Sequence, residues 1–358
     1  MAKKPESTER APLSLYRTYR PHSFAEVLGQ EQVVSVLEAA VKNKKIAHAY
    51  LFAGGRGTGK TSMARILASA LDTAEEDVYE MDAASNRGID EIRALRDGVA
   101  TLPFNSAYKF YIIDEAHALT KDAWGALLKT LEEPPAHVIF VLATTELDKI
   151  PETIISRCQV YNFKKPSHGV LKKLVLDVAK KEGASMEPAA AELVALMGES
   201  SFRDTLGILQ KVLTISSAPS IRSEQAKLTE EEVAAVVGAP KGELVNQFLE
   251  ALALKQAGEA VALFHQAVAG GAEAQVFIML AITKVRAVLL LRFLPSEAEG
   301  IKEQFGEDDA TYLKELSEQK GAAINAEVLA SLIGAYVETP RAPIREVPLE
   351  LALYKLFS

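Results

Sequence analysis

The segment "GGRGTGKTS", residues 54–62, is the strongest indication of the fold. It contains the spacing Gly-x-x-x-x-Gly-Lys-Thr, follows the apolar run "AYLF" (49–52) and opens the helical pattern "KTSMARILASAL" (60–71). A strand, a glycine-rich turn and a helix in this order are typical of a phosphate-binding loop, because glycines let backbone N–H groups approach phosphates and the helix N-terminus favours negative charge. A glycine-rich turn without chemical meaning is the alternative, and the flanking strand and helix favour nucleotide binding. Lys60 is then predicted to contact the phosphates and Thr61 to ligate Mg²⁺. The loop residues predicted to bind the nucleotide are Gly54, Arg56, Gly57, Thr58, Gly59, Lys60, Thr61 and Ser62.

Length and composition indicate a soluble protein of several domains. A chain of 358 residues is too long for one ordinary core, so we expect two or three domains. Hydrophobic residues make up 48% of the sequence and charged residues 25%, as in soluble globular proteins. The net charge of −8 argues against DNA binding through overall charge but allows a local basic surface. The single cysteine, Cys158, excludes a disulfide framework and a cysteine-based zinc cluster and suits a reducing cytoplasm. No activating base stands beside it, so we expect a packing residue rather than a nucleophile.

Two segments bear on a secretory or membrane destination. The polar N-terminus, residues 1–13, lacks the apolar centre of a secretory signal and is expected to be a disordered tail. The longest apolar run, 276–294, is interrupted by Lys284, Arg286 and Arg292. These charges would be costly against lipid, so the run predicts a buried helix. We therefore expect a cytoplasmic protein without membrane contact.

The order of apolar runs predicts an α/β domain followed by helices. Five short runs are continuous rather than alternating, which is typical of parallel strands buried on both faces, and helical patterns lie between them. The runs are 49–52, 78–82, 110–114, 138–144 and 160–163. Further along, only helical patterns occur. The predicted organisation is a disordered tail (1–13), an α/β domain (14–164), a small helical domain (165–214), a polar linker (215–227) and a C-terminal helical domain (228–358).

An acidic pair ends one of the predicted strands. In "FYIIDEAH" (110–117), Asp114 is predicted to ligate Mg²⁺ and Glu115 to polarise the attacking water. The alternative is a pair of helix-capping acids, which are common at helix starts. The phosphate loop favours the catalytic interpretation, because Mg-nucleotide chemistry needs a second metal ligand on a neighbouring strand. His117 is interpreted as packing or capping and is given no role.

Several motifs in a fixed order resemble one family. They are the phosphate loop, "IIDEAHALT" (112–120), "ALLKTLEEPP" (126–135), "LATTE" (142–146), "SRC" (156–158), "YRTYRPHSFAEVLGQEQVV" (16–34) and "PIREVPLELALYKL" (343–356). Together they resemble the AAA+ clamp loaders, and among these the gamma/tau family of bacterial DNA polymerase III. The resemblance spans nearly the whole chain. It implies an AAA+ P-loop NTPase domain with a parallel sheet, a small helical lid domain, and a helical collar that forms oligomers.

The resemblance also implies roles for residues outside the loop. Thr145 matches sensor 1, which contacts the γ-phosphate, with Thr144 as the less favoured neighbour. Arg203, in "SSFRDTL", matches sensor 2 on the lid, and Arg157 matches an arginine finger inserted into the ATP site of the adjacent subunit. Taken alone, either arginine could be an ordinary surface charge; the order of the motifs favours the functional interpretation. The segment that resembles the adenine-side pocket contains Arg17, Arg20, Pro21, Val27 and Leu28.

Two departures from the family pattern stand out. The bacterial family usually carries a four-cysteine zinc module after the P-loop helix, whereas "ALDTAEEDVYEMD" (70–82) is short and has no cysteine, so we predict no zinc. The clamp-loader small subunits of archaeal and eukaryotic type also lack this module, and they remain the alternative family. The chain ends with the collar at Ser358, so it looks like the short gamma form rather than the long tau form.

No recogniser of base edges is visible in the sequence. The family implies backbone contacts to primer-template DNA from the helix N-termini after 83–88 and 118–123, with Asn86, Arg87 and Lys121 as candidates. Solvated helix caps are an equally good explanation of these residues. The implied partners are delta- and delta-prime-type clamp-loader subunits, further copies of the chain, and the sliding clamp.

These observations predict an ATPase, with ATP and Mg²⁺, that drives loading of the sliding clamp onto primed DNA. The first alternative is a scaffold of the replicase that binds ATP and hardly hydrolyses it. A second is a Holliday-junction branch-migration motor, a family that ends in a winged-helix domain rather than a helical collar. The chemically critical residues are all retained, which favours the enzyme: Lys60, Thr61, Asp114, Glu115 and Arg157. No polymerase active site is recognisable.

Overall fold

The computed structural model describes residues 14–86, 88–216, 227–305, 307–319 and 323–357. These residues divide into two compact units. The first holds the described residues up to Val170 together with Ser200–Leu206. The second holds Leu171–Glu199 together with the described residues from Gly207 onward.

A parallel five-stranded sheet forms the centre of the first unit. Its strands are β1 (Ala49–Gly54), β2 (Val78–Asp82), β3 (Lys109–Asp114), β4 (Val138–Thr144) and β5 (Gln159–Phe163). The strand order is β2-β3-β4-β1-β5, and every neighbouring pair is parallel. Strand β4 therefore lies between β1 and β3, and the C-terminal ends of these three strands meet at one edge of the sheet.

Helices cover both faces of this sheet. They are α1 (Leu15–Thr18), α2 (Glu31–Lys42), α3 (Lys60–Ala70), α4 (Ile89–Val99), α5 (Lys121–Glu132) and α6 (Glu152–Ile155), with short 3-10 helices at Phe24–Glu26, Glu75–Asp77, Ala116–Ala118 and Leu147–Lys149. Because side chains alternate along a strand, Leu51 and Phe140 pack against α4 and α5, whereas Tyr50 and Ile139 pack against α2 and α3. The predicted doubly covered α/β sheet is confirmed.

The prediction that all five strands are buried on both faces is wrong for the two outer strands. Strands β1, β3 and β4 are buried almost throughout. Strands β2 and β5 stand at the sheet edges, where Tyr79 and Val160 each keep 38% of their surface exposed. Cys158 thus precedes an edge strand and not a buried one, although its own side chain is half-buried. An edge strand has a neighbour on one side only, and a sequence pattern does not reveal strand order.

From residue 168 onward the described chain is helical, as predicted. The helices are α7 (His168–Lys181), α8 (Pro188–Met197), α9 (Phe202–Ser216), α10 (Glu230–Val237), α11 (Gly242–Ala253), α12 (Ala257–Ala269), α13 (Ala274–Phe293), α14 (Ala298–Phe305), α15 (Glu307–Glu318), α16 (Ala326–Glu338) and α17 (Val347–Phe357), with 3-10 helices at Pro295–Glu297 and Thr339–Arg341. The predicted tail (1–13) and residues 217–226 of the predicted linker lie outside the described residues. The domain boundaries stay predictions.

Helix α13 is the central helix of the second unit's core. Phe277, Val285 and Val288 are fully buried among residues of α11, α12, α15, α16 and α17. By length and composition α13 is the one described helix that could cross a membrane, but most of its apolar window is buried within the fold. Lys284 is also buried, and its ammonium donates hydrogen bonds to Asp309 Oδ2 at 2.6 Å and to the Asn246 side chain at 2.7 Å. The predicted buried helix is present.

Candidate nucleotide-binding site

The loop between β1 and α3 has a backbone that requires glycine at two points. Gly54 has φ of +155°, and a Cβ there would lie 2.5 Å from the carbonyl oxygen of Phe163 on β5. Gly57 has φ of +70°, and a Cβ there would collide with the side chain of Ser201. Only glycine adopts a positive φ readily and also needs no space for a Cβ atom. The loop therefore keeps its backbone N–H groups close to any phosphate that it holds.

The ammonium of Lys60 is held inside the loop. Its side chain is buried, and Nζ donates hydrogen bonds of 2.8 Å to the carbonyls of Gly54 and Gly55. Burial lowers the pKa of Lys60, while the nearby carboxylates of Glu115 and Asp114 oppose this shift. The charge consequently lies at the centre of the loop, where the prediction places the phosphates.

The other loop residues differ in their surroundings. Thr58 is buried, and its hydroxyl donates a hydrogen bond of 2.9 Å to the carbonyl of Gly55, which stabilises the turn. Ser62 is half-buried in the first turn of α3. Arg56 is exposed at the tip of the loop. Thr58 thus shapes the loop from within, whereas the Arg56 guanidinium is accessible from solvent.

The two predicted Mg²⁺ ligands meet. Thr61 Oγ1 donates a hydrogen bond to Asp114 Oδ2 at 2.7 Å, joining the start of α3 to the end of β3. Adjacent ligands of an octahedral Mg²⁺ with bonds of about 2.1 Å lie about 3 Å apart. A hydroxyl and a carboxylate at this separation, in front of a phosphate loop, fit Mg²⁺ by spacing and by oxygen chemistry.

Glu115 and Thr145 also meet, which distinguishes Thr145 from Thr144. Thr145 Oγ1 donates to Glu115 Oε2 at 3.2 Å. Thr144 is fully buried, and its hydroxyl lies 3.0 Å from Nδ1 of His117. Glu115 has a left-handed backbone, with φ 49° and ψ 43°, which is uncommon for a residue with a side chain. The residue that follows β4 therefore contacts the Glu115 carboxylate, whereas the last residue of β4 is buried and contacts His117.

Arg203 is brought to the loop by the start of α9. The N–H of Phe202 donates a hydrogen bond of 3.0 Å to the carbonyl of Gly57. The guanidinium of Arg203 lies 5.8 Å from the ring centroid of Tyr16, in the N-terminal segment. A cation at this distance from a tyrosine ring is attracted by it. Arg203 thus stands between the phosphate loop and the segment predicted to contact adenine.

That N-terminal segment borders a pocket of about 480 Å³. Arg20 and Pro21 line the pocket together with Arg65 of α3. Burial and the nearby positive charge of Arg65 lower the pKa of Arg20. In the same segment, the guanidinium of Arg17 lies 5.8 Å from the Tyr16 ring.

The other two residues predicted on the adenine side are apolar. Val27 packs against the sheet core, and Leu28 is half-buried. Neither borders the 480 Å³ pocket. Their contact with adenine stays a prediction.

Gln30 was not predicted and connects this segment to the loop. Its side chain is buried, donates to the carbonyl of Lys164 at 2.8 Å and to that of Thr58 at 3.5 Å, and accepts from the Lys164 N–H at 3.2 Å. These bonds join the residue before α2, the phosphate loop and the end of β5. A lone glutamine carries no signal in a sequence, so only the fold identifies this role.

Arg157 lies apart from the cluster, on the surface of the first unit. It donates to Glu132 Oε1 at 2.6 Å and to the carbonyl of Thr153 at 2.7 Å, and one third of its side chain is exposed. None of its described partners belongs to the loop or to the acidic pair. This placement is compatible with a role at a neighbouring subunit, which stays a prediction.

The DNA-contact candidates are only partly described. Asn86 is exposed and bonds the carbonyl of Asp82 at 3.1 Å, and Lys121 is exposed at the first position of α5. Arg87 lies outside the described residues. The N-terminus of α5 is capped by Thr120, whose side chain accepts from the Ala123 N–H. Their contact with DNA stays a prediction.

The sheet order, the loop after β1 and the acids at the end of β3 define a P-loop nucleotide-binding domain of AAA+ type. Two family models match the chain: one described as DNA polymerase III, delta subunit, at residues 29–86 and 72–167, and one described as DNA polymerase III subunits gamma and tau domain III, at residues 228–358.

Curated relatives and a solved structure agree with this class. DNA polymerase III subunit tau of Bacillus subtilis is 35% identical, over 96% of this chain and 63% of that protein. The tau subunit of Escherichia coli is 31% identical, over 95% and 54%. The chain thus spans between about half and two thirds of the length of these relatives. The RuvB branch-migration motor of Thermotoga maritima superimposes with a TM-score of 0.52 and 23% identity over 72% of this chain and 86% of that one, a likeness of fold alone.

The chain belongs to the gamma/tau family of DNA polymerase III subunits, as its motifs predicted.

Proposed function

We propose that this chain is an ATP-hydrolysing motor subunit of a clamp loader and that its turnover drives loading of a sliding clamp onto primed DNA. The observation that carries the proposal is the convergence of Lys60, Thr61, Asp114, Glu115 and Thr145 at one edge of the sheet. A scaffold that only bound ATP would need the phosphate loop but not a carboxylate held in front of it.

Each side chain has a separate task in the proposed reaction. The loop N–H groups and Lys60 bind the phosphates, and Glu115 orients the attacking water. Mg²⁺ held by Thr61 and Asp114 would neutralise charge on the phosphates. Thr145 aligns the Glu115 carboxylate and reads the γ-phosphate, and Arg203 adds a positive charge from the start of α9.

The proposal assigns Arg157 to the neighbouring subunit's site. A guanidinium is always charged and planar, so it stabilises the negative charge that develops on a transferring phosphoryl group. The ion pair between Arg157 and Glu132 is half-exposed and contributes at most about 1 kcal/mol, so it is easily exchanged for a phosphate. Hydrolysis would then require assembly.

The proposed collar surface lies on the last two helices. Ile333 and Val337 of α16 and Leu351 and Tyr354 of α17 keep about half of their surfaces exposed. Large apolar side chains that stay exposed on these two helices support an interface with further copies of the chain or with delta- and delta-prime-type subunits. Replacing Ile333 and Val337 by aspartate is expected to lower the mass of the assembly in sedimentation while the helical circular dichroism remains.

The proposed setting is the cytoplasm, with contacts to the backbone of primer-template DNA that weaken as salt rises. Zinc is not expected, and elemental analysis that found one zinc per chain would contradict this. Any polymerase activity of the assembled enzyme is assigned to another subunit.

Steady-state ATPase of the reconstituted assembly tests the function, measured with and without clamp and primed DNA. We expect turnover to rise when both are added. Tight ATP binding with negligible turnover under both conditions would reject the motor and support the scaffold. Turnover that ignores clamp and DNA would indicate an ATPase with another task.

A further inference from the structure

His117 lies beside Glu115 and has no task in the proposed reaction. Its side chain is 16% exposed. Nδ1 lies 3.0 Å from Thr144 Oγ1 and 3.5 Å from Glu115 Oε2, and Nε2 lies 3.2 Å from Glu146 Oε1. The ring thus connects the turn that follows Glu115 with the end of β4.

The two ring nitrogens face different partners. The hydroxyl oxygen of Thr144 accepts the N–H of Glu146 at 3.0 Å and also lies within hydrogen-bond distance of His117 Nδ1. Nε2 faces the Glu146 carboxylate, to which a protonated Nε2 donates. The Glu115 carboxylate, 3.5 Å from Nδ1, accepts its closer hydrogen bond from Thr145.

The backbone around Glu115 needs this kind of support. A left-handed conformation at a residue with a side chain is strained and persists only where the surroundings enforce it. The 3-10 turn Ala116–Ala118 follows directly, with the Ala118 N–H donating to the Glu115 carbonyl at 2.9 Å. His117 is the middle residue of that turn, so its bond to Thr144 ties the turn to the sheet.

We propose that His117 is a positioning residue for Glu115. By bonding Thr144 it fixes the turn, and the turn fixes the direction in which Glu115 presents its carboxylate to water. The proposal rests on the proposed ATPase function. The described contacts of His117 are with Glu115, Thr144 and Glu146, none of them in loop 54–62, so its removal should change turnover and not nucleotide affinity.

Three substitutions separate the two ends of the ring. His117→Ala removes both. His117→Asn keeps a polar atom near the Nδ1 position, within reach of Thr144, and His117→Gln keeps one near the Nε2 position, within reach of Glu146. His137→Ala is the matched control, because His137 is a half-buried histidine immediately before β4 that bonds the carbonyl of Thr101 at 3.1 Å, away from the site.

Clamp- and DNA-stimulated turnover is measured for the assembly of each variant, together with the Kd for ATP. His117→Ala is expected to lower kcat roughly 10- to 100-fold, as misplaced catalytic groups do, with an unchanged Kd. His117→Asn should restore most of the loss and His117→Gln should not, while His137→Ala retains wild-type kcat. Equal turnover in His117→Ala and wild type, or rescue by Gln rather than Asn, overturns the proposal.

Amide hydrogen exchange gives a second readout that needs no turnover. The N–H groups of Ala118 and Leu119, which donate to the carbonyls of Glu115 and Ala116, should exchange faster in His117→Ala than in wild type or His117→Asn. Unchanged exchange would refute the support of the turn. Wild-type turnover decides the motor function separately, because an inactive wild type would still show whether His117 holds the turn.

Discussion

The hydroxyl of Thr61 reaches the carboxylate of Asp114 at 2.7 Å, across 53 positions of the chain. The contact joins α3, the helix that follows the phosphate loop, to β3, which lies two places from β1 in the sheet. Its two oxygens have the separation and the chemistry that Mg²⁺ requires.

Thr61→Ala and Asp114→Asn should each lower the stimulated kcat by at least about 100-fold, because the first removes a hydroxyl ligand and the second replaces a charged carboxylate ligand by a neutral amide at a metal worth several kcal/mol in the transition state. The Mg²⁺ concentration for half-maximal turnover should rise in both variants. In Thr61→Ser, which keeps the hydroxyl, that concentration should equal the wild-type value. Ser35→Ala, an exposed hydroxyl on α2, is the control. An unchanged Mg²⁺ dependence in both variants would show that these residues do not hold the metal.

Arg157→Ala should abolish stimulated turnover, since an arginine supplied in trans can contribute about 10³- to 10⁵-fold. ATP affinity should change by less than about twofold, because none of the described partners of Arg157 belongs to the phosphate loop and its surface ion pair adds little stability. Arg93→Ala, which breaks the exposed pair with Asp90, is the matched control.

Mixed assemblies test the direction of this contribution. Subunits with Arg157→Ala and subunits with Lys60→Ala are each expected to be inactive alone. Mixed, they should recover part of the turnover, because the Lys60→Ala subunit can offer its arginine to an intact loop. A collapse of ATP affinity in Arg157→Ala would instead place the arginine in its own site.

Gly57→Ala should destabilise the first unit and weaken ATP binding together. The added methyl would meet the Ser201 side chain and require a strained φ, displacing the start of α9 that carries Arg203. Gly125→Ala, in α5, is the control: its Cβ would meet no neighbour, so a gain of up to about 1 kcal/mol is expected from helix propensity. Thermal unfolding and a nucleotide-binding titration check both. Full ATP affinity in Gly57→Ala would mean that ATP binding does not depend on the close packing of Gly57 against Ser201.

Asp77 should make the stability of the first unit depend on pH. Its buried carboxylate accepts the N–H groups of Phe104, Asn105 and Ser106 at 2.6–3.0 Å. Burial alone would raise the pKa of Asp77, but these hydrogen bonds outweigh it and the pKa falls below the usual 3.8. A carboxyl whose pKa is lowered by folding contributes stability above its unfolded pKa and loses it as pH falls through the folded value.

Asp77→Asn should therefore cost about 2 kcal/mol at pH 7, measured by urea unfolding, because its amide cannot accept all three bonds. The difference between variant and wild type should shrink below about pH 4, where the wild-type carboxyl takes up its proton. A constant difference from pH 7 to pH 3 would show that the charge of Asp77 is not what holds the 104–106 backbone.

Cys158 should be nearly inert in the folded protein. Burial raises the pKa of its thiol to about 11, and no base lies against it in the described contacts. At pH 8 iodoacetamide should modify it at least about 100-fold more slowly than in urea, because only the thiolate reacts. Equal rates would show an accessible, activated thiol and reopen the question of a reactive cysteine.

The local chemistry of the site could be predicted because it depends on residues that are close together in the sequence. The spacing of glycines, lysine and threonine in 54–62 specifies a phosphate loop wherever a strand precedes it and a helix follows. The apolar run ending in Asp114 and Glu115 specifies a strand that delivers two acids. Such patterns depend on periodicity and on backbone permissiveness, which are properties of short segments.

Pairings across the fold could not be predicted in the same way. The exposure of β2 and β5 follows from their edge positions, and a strand carries no mark of its place in a sheet. Gln30 bonds the phosphate loop and the residue after β5, and His117 lies beside Thr144 at the end of β4. Both contacts exist because the order of strands in the sheet brings the C-terminal ends of β1, β3, β4 and β5 together.

The amino-acid sequence was enough to predict a phosphate loop, an acidic pair at the end of a buried strand, a parallel sheet followed by helices, and a family. The folded chain was needed to show which threonine contacts Glu115, why Gly57 has no room for a side chain, and that Arg157 lies away from the phosphate loop of its own chain. Short-range patterns fix the conformation of a segment, whereas contacts between distant residues depend on strand order and packing, which emerge only when the whole chain folds.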